Sequence, residues 1–166
     1  MKTPRVACFS CRAWLAATGT VLVLFGLWFR SAYQLAVVSG DSMLPTLTSG
    51  SLMLIDKRAY DQLEPDRGDV VIARYVGGLV VKRVVGLSGE EVEVRQGRLY
   101  VNGRRVMENH AIYPGYLFVG KGKLLPGDFA TLGDNRAVSA ATAVHPIITE
   151  SDILGKVVFV LHMKTL

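Results

Sequence analysis

The chain has 166 residues, half of them hydrophobic, with 19 Lys/Arg and 14 Asp/Glu for a formal net charge of +5. That length holds one short anchor and one domain of roughly 130 residues, with no room for a second catalytic unit. Lys2, Arg5, Arg12 and Arg30 carry four of the positive charges, so from Ser31 onward 15 Lys/Arg face 14 Asp/Glu, and nucleic acid is excluded as a partner for want of a dense basic stripe.

Residues 1–12 read as a basic cytosolic tail. Both cysteines, Cys8 and Cys11, lie in it. Their spacing is half of a zinc site, but a structural site needs four ligands and no second pair follows, so they read as free thiols able to accept a lipid. No metal or organic cofactor is expected.

Residues 13–30 read as a single-pass transmembrane anchor. Ala13 to Phe29 carries no charge and spans about 26 Å as a helix, slightly less than the bilayer's hydrocarbon layer. Arg30 can snorkel, and Trp14, Trp28 and Tyr33 can lie at the interfaces. Three cations precede the run and one follows it, which keeps the N-terminus cytosolic and sends residues 31–166 across. The alternative is a cleavable signal peptide, but cleavage after Ala32 puts Arg30 at minus three and cleavage after Ala36 puts Gln34 there. The expected location is the plasma membrane of a bacterium. The absence of acidic residues before Asp41 also suits a mitochondrial targeting end, so the mitochondrial inner membrane stays as the alternative.

From Gln34 the pattern is short β-type runs broken by Gly, Pro and Asp. The expected strands are Gln34 to Val38, Leu52 to Asp56, Asp69 to Tyr75, Leu79 to Val85, Glu91 to Arg95, Arg98 to Val101, Phe129 to Leu132 and Ile153 to His162. Gln96-Gly97 and Asn102-Gly103 are hairpin signals. The fold class is therefore mainly β, one compact domain behind one helix.

Ser42 lies in Ser39-Gly40-Asp41-Ser42-Met43-Leu44-Pro45-Thr46-Leu47, about a dozen residues beyond the apolar run, which puts a potential nucleophile at a membrane surface. As a strand, Leu79 to Val85 sets Val80, Lys82 and Val84 on one face and Leu79, Val81, Arg83 and Val85 on the other. An amine between valines loses hydration of its charged form; its pKa falls from about 10.4, and buried lysines reach about 5 to 6. Such a lysine is neutral enough near pH 7 to take the Ser42 proton. His110, His145 and His162 are the competing bases. None has metal-ligand spacing and all read as surface or satisfied histidines, although a Ser-His-Asp triad is recognised by geometry and stays open at this point.

Together with Arg67-Gly68-Asp69-Val70-Val71, Val81-Lys82-Arg83-Val84-Val85-Gly86 and Gly133-Asp134-Asn135-Arg136, the Ser42 string resembles the type I signal peptidases. These are membrane-anchored serine/lysine proteases that remove leader peptides from exported proteins, and the compact length is similar to their short members. The resemblance implies a β-sheet, barrel-like catalytic domain, Ser42 as nucleophile, Lys82 as general base and Ser139 as a hydroxyl supporting the lysine. It implies an oxyanion hole on the Ser42 N–H, with Gly40 at the position where some members carry a hydroxyl. The family's Asp-Ser-Arg brace is replaced by Ala141, Thr142 and Ala143.

The expected substrates are signal-peptide-bearing pre-proteins that add as a strand near Ala36 to Ser39 and Val80 to Lys82. Val38, Met43, Leu47, Val80 and Val81 would line small apolar pockets, favouring small residues at minus one and minus three. The missing brace motivates the alternative of a silent or dedicated-client partner beside an active sister subunit.

Overall fold

The computed structural model describes residues 9–75, 78–137 and 147–162. Ser139, the 141–143 triplet, His145 and Cys8 lie outside them.

Helix α1, Phe9–Ala32, begins inside the expected tail and ends two residues past the expected anchor. The cause is local. Phe9 to Arg12 contains no Gly or Pro to stop a helix, and Ser31 Oγ donates to the Trp28 carbonyl at 2.7 Å, continuing the turn past Arg30. Trp14 to Ala32 is apolar and long enough to cross a membrane.

Among the described residues eleven strands follow: β1 Tyr33–Val37, β2 Leu52–Asp56, β3 Val70–Tyr75, β4 Gly78–Gly86, β5 Glu91–Arg95, β6 Arg98–Val101, β7 Arg104–Arg105, β8 Val119–Lys123, β9 Asp128–Leu132, β10 Ile147–Thr149 and β11 Ile153–Leu161. The mainly β expectation holds. β2, β5 and β6 have their expected limits, because each alternates buried and less buried positions, as Met53/Ile55, Val92/Val94 and Leu99/Val101 require. β7, β8 and β10 were not anticipated: one is two residues long, one alternates Gly with Lys, and one has three residues.

The strands form two antiparallel sheets, ordered β1-β2-β11-β3-β4-β9-β10 and β7-β6-β5-β8. Both hairpin signals are used. Gln96 and Gly97 join β5 to β6, and Asn102 and Gly103 join β6 to β7, all four with positive φ, as a two-residue turn matched to strand twist demands.

Three apolar clusters fill the fold. Val85, Val92, Val94, Leu99 and Leu132 cement the two sheets together. Val38, Met43, Leu47, Met53, Ile55 and Ile72 pack one face of the large sheet, and Val71, Ala73, Val84, Phe129 and Ile148 the other.

Candidate active site

Ser42 sits in a loop that the backbone closes at its base, where Val38 N–H donates to the Ser51 carbonyl and Gly50 N–H to the Val38 carbonyl, both at 2.9 Å. Met43 and Leu47 are buried and linked by a 2.9 Å hydrogen bond from Leu47 N–H to the Met43 carbonyl. Burying these two side chains anchors the loop in the core and leaves Ser42 half-buried at the rim. Its carbonyl accepts the Asn135 N–H at 3.0 Å; among the described residues its own N–H and hydroxyl have no partner.

Lys82 lies on β4 opposite Val71. It is half-buried, and among the described residues its amine makes neither a hydrogen bond nor an ion pair. Loss of hydration holds its pKa below the ordinary lysine range, and the negative charge of Asp134 opposes that shift without reversing it.

The Gly133–Arg136 turn touches Ser42 and begins beside β4. Leu132, the last residue of β9, pairs with Arg83, the neighbour of Lys82 on β4, and Gly133 follows it. A Cβ at Gly133 would run into the Ser42 carbonyl and come within 3.5 Å of the Ser42 Cβ. The absent side chain is therefore what lets the Ser42 backbone approach this turn. Ser42 and Lys82 make no direct hydrogen bond to one another.

Ion pairs hold this turn from behind. Asp134, fully buried, accepts from Arg83 Nε at 2.9 Å and Nη2 at 2.7 Å, while Arg83 also donates to the Gly68 carbonyl and to Thr46 Oγ1. Arg136, 1% exposed, donates to the Gly133 and Gly97 carbonyls and to Glu108 Oε1 at 2.6 Å. Asn135 Nδ2 reaches the Asp41 carbonyl at 3.0 Å. Arg67 forks onto both Glu90 oxygens and also donates to the Val85 carbonyl, so the Arg67–Val71 string is structural.

Of the expected pocket residues, Val38, Met43, Leu47 and Val81 gather in one cluster, with the first three buried. Val80 lies on the opposite face with Val71, Val84 and Phe129, because period two separates it from Val81.

His110 is not the surface or satisfied histidine the sequence suggests. Its Nε2 is buried without a hydrogen bond, 3.3 Å from Asp134 Oδ1 and 3.5 Å from Glu108 Oε1. Burial, then the Arg83 charge, hold its pKa low against the pull of both carboxylates. His162 Nδ1 lies 3.4 Å from the buried Ser51 hydroxyl. Among the described residues neither histidine hydrogen-bonds Ser42, and no Ser-His pair forms on its hydroxyl. Among the described residues no group of acidic, His or Cys side chains is arranged to hold a metal.

The family model described as signal peptidase, peptidase S26, matches residues 11–162. A signal peptidase I from Bacillus caldolyticus is 34% identical over 161 residues, covering 88% of this chain and 86% of its own. A probable signal peptidase I-2 from a Synechocystis strain is 29% identical over 151 residues, covering 86% and 69%. A crystal structure of a signal peptidase I from Enterococcus faecalis, 26% identical, superposes with a TM-score of 0.46 over 57% of this chain and 97% of that one.

Proposed function

The chain belongs to the signal peptidase family, peptidase S26, and on that premise we propose that it is a type I signal peptidase, a serine endopeptidase that cuts leader peptides from exported pre-proteins with Ser42 as nucleophile and Lys82 as general base. One observation carries the assignment: Lys82 is a desolvated amine without a partner among the described residues, on the strand whose next residue, Arg83, pairs with the residue before Gly133, and Gly133 is where the Ser42 backbone packs.

Neutral Lys82 takes the Ser42 proton as Oγ attacks the scissile carbonyl. The C–N bond then breaks, the Lys82 ammonium returns the proton to the leaving amine, and the peptide is held as a serine ester. Lys82 next deprotonates a water that cleaves the ester and frees Ser42. The Ser42 N–H, without a partner among the described residues, is suited to hold the developing oxyanion. Hydrogen bonds of this kind tighten when substrate binds, so Oγ and Nζ meet directly or through one water in the complex. Ser139 is assigned the supporting hydroxyl on the resemblance alone.

The substrate strand has open edges to use. Among the described residues β1 pairs only with β2, and β4 is unpaired on its β9 side from Gly78 to Lys82. An extended peptide between them reaches Ser42 with Val38, Met43, Leu47 and Val81 beneath it, which favours small side chains at minus one and minus three. The basic segment before α1 favours an N-terminus in the cytosol and a catalytic domain outside a bacterial plasma membrane.

The test incubates wild-type, Ser42→Ala and Lys82→Ala protein with a panel of pre-proteins and maps each product's N-terminus. Both variants should lose about a thousandfold or more in kcat, with cuts following small-x-small sites. Unchanged cleavage by either variant removes the assignment.

A further inference from the structure

A cavity of about 470 Å³ lies where α1 runs into β1, walled by Phe29, Tyr33, Leu35 and Leu54 and carrying the Arg30 and Lys57 side chains. No carboxylate lines it, and among the described residues neither cation has an ion-pair partner. Asp56, the acid adjacent to Lys57, is turned to the Arg58 N–H at 2.8 Å. Lys57 is fixed in place. Its N–H donates to the Ala32 carbonyl at 2.8 Å and its ammonium to the Arg30 carbonyl at 3.0 Å, at the helix end where carbonyl dipoles favour a cation. Two ammonium protons remain free to donate. The Tyr33 ring stacks on Phe29 at 5.0 Å and meets Trp28 at 6.4 Å, the kind of aromatic group that settles at headgroup depth.

We propose that this cavity is a binding site for a net-anionic phospholipid in the leaflet from which the catalytic domain emerges. Arg30 and Lys57 take the phosphate oxygens, and the glycerol and first acyl carbons lie along Leu35 and Leu54. Two uncompensated cations select an anion, and the apolar wall beside them selects one that carries a hydrocarbon chain. A zwitterionic lipid brings its own cation and gains less. β1 starts in this cavity, and the six residue steps from Tyr33 to Ser39 cover about 20 Å of extended chain, so a lipid held here fixes the height and tilt of Ser42 over the bilayer. The site rests on α1 crossing a membrane and is independent of the Ser42–Lys82 chemistry.

The full chain is extracted from mixed phosphatidylglycerol/phosphatidylcholine membranes, and retained lipid is counted by native mass spectrometry. Wild type should keep phosphatidylglycerol in preference to phosphatidylcholine. Arg30→Gln/Lys57→Gln should retain about thirtyfold less, from about fivefold per juxtamembrane cation, while Arg30→Lys/Lys57→Arg restores it. In nanodiscs the Gln pair should slow cleavage of a membrane-held pre-protein and leave cleavage of a soluble peptide within about twofold, which separates this site from the catalytic assignment. Equal retention of the two lipids by wild type overturns the proposal even if a variant misfolds. So does displacement of the lipid by millimolar inorganic phosphate, which would make the cavity a plain phosphate site.

Discussion

Lys82 is the proposed base, and the loss of hydration that suits it to that role also costs stability. Its pKa is lowered by lost hydration, so the native chain binds that proton more weakly than the unfolded chain does. The resulting destabilisation is present below the folded pKa and is relieved as pH rises through it towards the ordinary lysine value. Lys82→Met should therefore raise the urea midpoint at pH 7 while abolishing cleavage, and its advantage over wild type should shrink at alkaline pH. A midpoint that falls would mean the ammonium is stabilised where it sits. His110 titrates in the other half of the pH range. Its folded pKa is also lowered, by burial first, so the unfolded chain protonates before the native one. Native stability is then whole above the unfolded value of about 6.5 and is lost as pH falls from there through the folded value. The groups facing the imidazole are Asp134, Glu108, Arg83 and Arg136, two negative and two positive, so a proton on His110 is an unbalanced charge. Thermal melts from pH 7.5 to 5 should show a smaller loss for His110→Gln than for wild type; parallel curves would remove His110 from the acid response.

The elements that build the site were legible to different degrees. β2, β5 and β6 and their turns could be read because a clean period-two pattern and an Asn-Gly or Gln-Gly pair are local facts. β8 could not, because Val119-Gly120-Lys121-Gly122-Lys123 has poor strand propensity and is a strand only through its pairing with β5. The same division runs through the site. Ser42 and Lys82 stood out in the sequence, whereas the Arg83–Asp134 pair joins residues 51 positions apart and the contacts of His110 depend on an irregular segment returning to the Gly133–Arg136 turn. Sequence carried one hint of this: an arginine on β4 among valines must find a buried partner. The turn itself makes a sharp test. A Cβ at Gly133 meets the Ser42 backbone rather than a flexible side-chain end, so Gly133→Ala cannot be absorbed by a rotamer change. It should cost about 1–3 kcal/mol of stability and, by displacing Ser42, lower kcat more than it changes KM for a peptide substrate. A variant with normal kcat would show that the close approach does not position Ser42.

At the scale of the whole molecule, α1 and the β domain meet very different surroundings. Trp14, Leu22 and Leu15 are 73%, 70% and 68% exposed along the helix, a surface that water penalises and a bilayer accepts, while Ala32 at the helix end is buried against the domain. With α1 in a bilayer, the proposed catalytic rim lies at the membrane, where a pre-protein's own apolar segment also resides. Two reactants confined to one membrane meet at an effective concentration set by that confinement, which can raise productive encounter by about 10²–10⁴ without any new contact. Removing residues 1–30 leaves Tyr33 and the β1–β2 ladder in place, so the catalytic groups should remain assembled. The shortened chain should cleave a soluble peptide within a few-fold of the full chain and cleave a membrane-held pre-protein about a hundredfold or more slowly. Kinetics on both substrates from one preparation decide the matter. Equal losses would mean that the helix supports the fold of the site, and a loss on neither would mean that substrates reach Ser42 from solution.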